Sequence, residues 1–385
     1  MAGWSPVKVA LLSDCYPPRV GGIERQVHDL AHRLAGAGHD VEVFTATTGP
    51  GGERHGARTA EDGGVVVHRM ALPLPGGVPV NPLAPPEVRR RLDAGGFDVA
   101  HAHLGVVSPF ATDLVRTARD AGLPVAATFH CVLGGAVPGM RAAGHLRRWA
   151  GRGVALSAVS RMAADQVSRA AGGARVEVLN NGVDAGWWSE RGTDDAADGD
   201  GPSSGLHVVT VMRLVRRKRP LALLGALHRT RTLLPDDVPL RVTVAGEGPQ
   251  RRVMESYLRA RGMGWVALPG RLDRVGLRRL HHAADVYLSA ARLEAFGIAA
   301  LEARAAGLPV VALRGTGVDD VVSHGVDGLL VPDDEALAVA VAGLGADPGR
   351  LAAMREHLRA VPPRQGWERV LDATVAEYRR AGAAG

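Results

Sequence analysis

Apolar residues along this chain alternate between two patterns. Short continuous runs occupy residues 7–12, 41–45, 64–69, 97–101, 124–129, 155–159 and 175–179. Strands buried on both faces of a parallel sheet read this way. Between the runs, apolar positions recur at helical spacing. Ile23, Val27, Leu30, Ala31 and Leu34 share one face of a segment that reaches Ala37 and is closed by Gly38. Residues 109–121 and 161–171 repeat the helical pattern. Strands alternating with helices predict a parallel α/β sheet with helices on both faces.

The alternation stops at residues 190–205, ERGTDDAADGDGPSSG, an acidic and glycine-rich stretch with no hydrophobic period. Residues 191–205 are therefore expected to link a first domain, 1–190, to a second, 206–365. The second domain restarts with apolar runs at 207–212, 240–245, 266–268, 285–289, 309–313 and 326–332. Each is followed by a tight, mostly glycine-bearing loop. A last helix, residues 367–380, has no strand after it. Residues 366–385 are expected to pack back on the first domain.

Composition narrows the class. The chain has 385 residues, 46% apolar and 22% charged, as in ordinary globular proteins of two or three domains. A net charge of +6 and a pI near 9.9 permit attraction to phosphates or anionic lipid. The arginines are spread out, and no aromatic-basic array suggests nucleic-acid binding. Cys15 and Cys131 are too few for a disulfide framework or a four-thiolate metal site. The reduced cytosol is the expected compartment. No window approaches ~20 unbroken apolar residues, so no spanning helix is expected.

Candidate chemistry clusters at strand ends. After the strand ending at Ser289, a polar loop leads through Glu294 and Phe296-Gly297-Ile298 into a helix that carries Glu302. The first amides of a helix lack partners and can hold an anion, and Gly297 lets a ligand approach the backbone. One acid can then meet sugar hydroxyls while the second takes another part of the same ligand. The plain alternative is a solvated helix start that favours Glu for its dipole. In the first domain, Gly21-Gly22 before a helix could receive a diphosphate or serve as a turn. No G-x-G-x-x-G occupies that loop. His130 follows a strand end, and His101 and His103 compete with it. Arg213 and Lys218 sit between a strand and a helix, where cations can meet phosphate. Residues 140–152, basic with Leu146 and Trp149 interleaved, read as a surface helix, with contact to anionic lipid as the alternative.

In their order along the chain these motifs resemble retaining glycosyltransferases of family 4. The resemblance is carried by Gly21-Gly22-Ile23-Glu24-Arg25, Phe129-His130, Asn181-Gly182-Val183-Asp184, Arg213 with Lys218, Ala245-Gly246-Glu247-Gly248-Pro249, and Glu294-x-Phe296-Gly297-Ile298-x3-Glu302. It covers nearly the whole chain. It implies the GT-B fold, two Rossmann-like β/α/β domains facing across a cleft that closes on the donor. It implies transfer of a sugar from a UDP- or GDP-linked donor to a hydroxyl acceptor with retained anomeric configuration. Neither cofactor nor metal is implied. Arg213 and Lys218 would neutralise the diphosphate. Amides near Phe296, Gly297 and Ile298 would bind phosphate or sugar oxygens. Glu302 would take the ribose hydroxyls and Glu294 those of the donor sugar. His130 would contact the sugar near the reacting carbon, and Gly22 would admit the diphosphate. Gly246 and Arg271 fall on the donor side, and Asp14, Gly21 and Glu24 on the acceptor side.

Three positions depart from the family pattern. Arg219-Pro220 follows Lys218 where Gly is usual, and Met212 stands where Gly often precedes the Arg. Gly317-Val318-Asp319-Asp320 replaces a commoner Gly-x-Pro-Glu, which leaves the role of Asp320 open. Rival readings are an oxidoreductase or epimerase, a basic lipid- or nucleic-acid-binding protein, and a phosphorylase of similar architecture. The acceptor, a lipid or a soluble molecule, is not legible. Localisation is expected to be cytoplasmic or peripheral at the inner membrane face.

Overall fold

The computed structural model describes residues 5–61, 63–74, 78–191 and 205–383. The chain forms two compact units, Met1–Gly182 with Trp367–Gly385, and Val183–Gly366. Among the described residues, unit 1 holds an eight-stranded sheet. Its strands are β1 (Lys8–Ser13), β2 (Asp40–Thr45), β3 (Ala57–Ala60), β4 (Val66–Arg69), β5 (Val99–Leu104), β6 (Val125–Phe129), β7 (Ala155–Ala158) and β8 (Val176–Val178). They lie in the order β3-β4-β2-β1-β5-β6-β7-β8, parallel except where β3 pairs antiparallel with β4.

The unbroken apolar run of β1 has a direct cause. Val9 and Leu11 pack into one core, with Val27, Leu30, Ala31 and Leu34 of helix Gly22–Gly36 and with Trp367, Val370 and Tyr378 of the last helix. Ala10 and Leu12 face a second core, built with helices Ala84–Gly95, Pro109–Asp120 and Arg161–Ala170. Both sets are fully buried, and each such Val or Leu is worth about 1.5–3 kcal/mol of transfer free energy.

Unit 2 holds a six-stranded, all-parallel sheet among the described residues. Its strands are β9 (Leu206–Val211), β10 (Leu240–Ala245), β11 (Val266–Gly270), β12 (Val286–Ser289), β13 (Val310–Leu313) and β14 (Gly328–Val331), in the order β11-β10-β9-β12-β13-β14. Successive strands run outward from β9 in both directions, so the order reverses between β9 and β12. The same reversal occurs between β1 and β5 in unit 1. Ligands of open α/β sheets bind beyond the carboxyl ends of strands at such points.

Three sequence expectations need correction. The units divide after Gly182, ahead of the expected end of the first domain at residue 190. The cause is the short helix Ala185–Ser189. Trp188 is buried, Arg274 and Arg278 lie 4.2 and 4.6 Å from the Trp187 ring, and His282 Nε2 is 2.7 Å from the Trp188 carbonyl. This helix therefore belongs to unit 2. The expected linker lies almost wholly outside the described residues. Residues 140–152 are not one helix but parts of two, Val137–Ala143 and His145–Ala150, broken at Gly144 with φ 66°. Leu146 and Trp149 point into the core, leaving Arg141, Arg147, Arg148 and Arg152 exposed, so this apolar edge is not available to a bilayer. Finally, β3 and the helix Ala84–Gly95 were not foreseen. No single described helix is long and apolar enough to cross a membrane.

Candidate active site

In unit 2 the predicted residues gather at the β9/β12 reversal. Arg213 follows β9, Lys218 ends a short 3-10 turn, Arg216–Lys218, and Glu294 follows β12. Lys218 Nζ donates to Glu294 Oε2, joining residues 76 positions apart. Both side chains are about four-fifths buried, so the pair is shielded but still reachable. The Arg213 side chain is exposed. Its backbone neighbours are fixed, since Met212 N donates to Ala245 O at 3.0 Å and Leu214 N to Glu247 O at 2.9 Å.

Gly246 explains how the two loops approach so closely. It has φ 139°, and a Cβ there would lie 1.8 Å from the Met212 carbonyl oxygen. Only glycine lets the β10 loop lie against the residues that present Arg213. Its duty is thus backbone packing beside the site. Arg271, just past β11, is exposed.

The helix after β12 is Ile298–Ala305. Its N-cap, Gly297, is left-handed at φ 92°, and no side chain caps the first turn. A Cβ on Gly297 would come within 2.7 Å of Val318 Cγ2. Gly317 N donates to Glu294 O at 2.8 Å, so residues 315–320 brace the loop from behind. The uncapped first-turn amides form a partial positive charge close to the Lys218–Glu294 pair. Phe296 is only 2% exposed: its ring is core, and only its amide can serve a ligand. Ile298 and Glu302 are half-buried on the same helix.

Arg219, one of the departures from the family pattern, carries the loop. It is the one non-glycine residue with positive φ among those described, at φ 56° and ψ 48°. Its guanidinium grips Asp334 in a fork, Nη1 to Oδ1 at 2.9 Å and Nη2 to Oδ2 at 2.6 Å. Nη1 also donates to the Ala290 carbonyl at 3.0 Å. The bond from Arg219 holds the Asp334 carboxyl below its usual range. Lys218 is thereby pinned from its neighbouring residue.

In unit 1, His130 is half-buried at the end of β6, where its N–H donates to the Leu104 carbonyl at 2.8 Å. Its Nε2 lies 2.9 Å from His103 Nδ1. His101 bridges Tyr378 Oη, at 3.1 Å, and Thr128 Oγ1, at 2.7 Å, and Thr128 bonds Ser157 Oγ at 2.7 Å. Burial pushes His130 down to about 4, with a bond to Asn181 opposing, and His101 down to about 3. His103 is also lowered, first by burial. All three are neutral imidazoles at neutral pH, so none presents a cation. A small cavity, about 20 Å3 and room for one water, is lined by the three histidines with Gln26, Asn181 and Trp367.

The remaining predictions separate. Asp14 accepts from Phe110 N at 3.1 Å and so caps helix Pro109–Asp120; burial pushes its carboxyl up to about 6. Glu24 is buried and folded over Gly21, where a Cβ would meet its Oε2 at 2.1 Å, and its Oε1 lies 3.4 Å from Arg19 Nε. These two acids are engaged with their own unit. Gly22 begins helix Gly22–Gly36.

Residues 20–187 match the sequence profile described as Glycosyltransferase Family 4, and residues 193–360 that described as Glycosyl transferases group 1. The D-inositol 3-phosphate glycosyltransferase of Pseudarthrobacter chlorophenolicus is 30% identical over 399 aligned positions, covering 94% of this chain and 90% of the relative. The chain belongs to glycosyltransferase family 4. The GDP-mannose-dependent alpha-(1-6)-phosphatidylinositol monomannoside mannosyltransferase of Mycolicibacterium smegmatis is 31% identical to it over 89% of this chain and 91% of its own. Sucrose-phosphate synthase from Thermosynechococcus elongatus superposes with a TM-score of 0.77 at 22% identity, covering 98% of this chain and 100% of that one. This family 4 glycosyltransferase therefore has the GT-B fold, with two Rossmann-like domains. The oxidoreductase and lipid- or nucleic-acid-binding alternatives fall away as primary activities.

Proposed function

We propose that this glycosyltransferase moves a sugar, with retention, from a UDP- or GDP-linked donor to a hydroxyl of a polyol or glycoside. The observation that carries this reading is the Lys218–Glu294 pair beside the uncapped helix start at Gly297. A departing nucleoside diphosphate develops negative charge, and preorganised cations and amides stabilise it where water is scarce. Lys218 and Arg213 take that role, with the amides of residues 296–298. Glu294 does two things: it holds Lys218 in place and offers its second oxygen to sugar hydroxyls. Glu302 is the partner for ribose hydroxyls. His130, neutral, is proposed to hydrogen-bond the sugar rather than to act as a cation, and Gly22 to admit the diphosphate to the backbone. No metal is assigned to the transfer. Names of relatives favour inositol-type acceptors, since one acts on D-inositol 3-phosphate and another on a phosphatidylinositol mannoside. Four exposed arginines, Arg141, Arg147, Arg148 and Arg152, suit an anionic acceptor or lipid headgroup.

The test is a screen of UDP- and GDP-sugars against inositol phosphate and phosphatidylinositol acceptors, with the product's anomeric configuration read by NMR. Transfer with the donor's configuration supports the reading. Inversion, or no turnover of any donor by folded protein, contradicts it.

A further inference from the structure

Away from the residues assigned above, His28, His32 and Glu61 converge in unit 1. His28 and His32 occupy successive turns of helix Gly22–Gly36, with rings stacked 4.1 Å apart. Glu61 follows β3, and its Oε2 lies 4.0 Å from His28 Nε2 and 3.8 Å from His32 Nε2. Those separations exceed a hydrogen bond. They sit a little above the ~3.4 Å that two ligands at ~2.1 Å span around a tetrahedral ion.

The tautomers are set by what the other ring nitrogens touch. His32 Nδ1 is 2.9 Å from the His28 carbonyl oxygen, which can only accept. His28 Nδ1 is 3.3 Å from Asp29 Oδ1, which also pairs with Arg25 Nε at 3.0 Å and so faces the ring as an acceptor. Each Nδ1 thus carries the proton, and each Nε2 lone pair is turned toward Glu61. Two imidazole lone pairs and a carboxylate oxygen meet, and none of the three donates to another. The outer contacts also match what orients metal ligands: a carboxylate and a carbonyl behind the histidines. Glu61 is held by Tyr16, whose Oη donates to Oε2 at 2.9 Å, with Arg69 Nη2 3.5 Å from Oε1.

We propose that His28 Nε2, His32 Nε2 and Glu61 Oε2 bind a divalent transition-metal ion, with water completing its coordination. The nitrogen and carboxylate donor set suits Zn2+ or its neighbours in the first row. Bound there, the ion staples helix Gly22–Gly36 to the segment after β3. Through Tyr16 it also steadies the loop that leads to Gly21 and Gly22. The role is structural and separate from donor chemistry.

The test uses the full chain, stripped with chelator and titrated calorimetrically with ZnCl2, with no nucleotide sugar present. One strong site is expected, weakened at least tenfold by His32→Gln and by Glu61→Gln. Asp29→Asn, which lies behind His28 and also pairs with Arg25, should weaken it about 10- to 100-fold. Metal-free thermal melts matching the parent show that the variants fold. Co2+ added to the unaltered chain should give the visible absorption of a four-coordinate nitrogen–oxygen site, a readout that needs no variant. Absence of both heat and absorption, or binding that both folded variants retain in full, overturns the proposal. A proton rather than a metal then occupies the cluster. Neither outcome bears on sugar transfer.

Discussion

Arg219 shows how a single residue can hold a strained conformation because its side chain is anchored. A left-handed φ costs an ordinary residue about 1–2 kcal/mol relative to glycine. The fork to Asp334 is half-open to solvent and returns at most about 1 kcal/mol. Arg219→Ala keeps the strain and loses the fork, while Arg219→Gly loses both. We expect the glycine variant to unfold at higher urea than the alanine variant, by about 1 kcal/mol, and both to show reduced turnover because Lys218 loses its brace. Equal urea midpoints would contradict this. The sequence showed Lys218 and Glu294 because each sits in a recognisable short motif. It could not show the fork, whose partners lie 115 positions apart. The tautomers of His28 and His32 were equally hidden, since they depend on atoms brought together only by folding.

At the scale of elements, the helix Ile298–Ala305 is tied down from its far end. Arg304 Nη2 and Nε donate to Asp327 Oδ2 at 2.9 and 3.1 Å, and both side chains are nearly inaccessible. Asp327 Oδ1 also accepts from Ser323 N at 2.7 Å. Removing one member strands a buried charge. Asp327→Ala or Arg304→Met alone should therefore lower unfolding free energy by about 3–5 kcal/mol, and Arg304→Met with Asp327→Leu by less than either single change. Chemical denaturation of the three variants checks it; a double variant worse than both singles would refute the stranded-charge argument. The parallel strands were legible because burial on both faces writes a continuous apolar run. Helix Ala84–Gly95 was not, because it opens with Pro85 and Pro86, which a first helical turn tolerates but which read as loop. It buries only Ala84, Val88 and Leu92. Strand β3, ARTA at the sheet edge, carries almost no apolar signal.

For the whole molecule, neutral histidines shielded from water set the response to acid. His101, His130 and His281 are pushed down to about 3, 4 and 3, first by burial. Unfolded histidine titrates near ~6.5, so between that pH and ~4 the unfolded chain binds protons that the folded chain does not. Stability is therefore full above ~6.5 and falls as pH drops, by about 1.4 kcal/mol per pH unit for each histidine. Asp14 acts in the opposite sense. Raised to about 6, it binds a proton in the folded state first and offsets part of the loss between ~6 and ~4. Urea midpoints should fall clearly from pH 7 to pH 5, and less so in His281→Gln. A flat profile would mean that these rings gain protons without unfolding. The division of the chain was only partly legible. The acidic stretch announced a boundary, but Trp187 and Trp188 assign the residues before it to unit 2 through contacts with Arg274, Arg278 and His282.

The central claim is that the β9/β12 end of unit 2 receives a nucleoside diphosphate on Lys218 and the helix start at Gly297. Calorimetric titration of UDP, GDP and NAD into the parent and into Lys218→Met tests it most directly. The account predicts that UDP or GDP binds more tightly than NAD, and that Lys218→Met, with its melting temperature preserved, binds that nucleotide at least tenfold more weakly. Equal affinity in parent and variant, or preference for NAD, would contradict it.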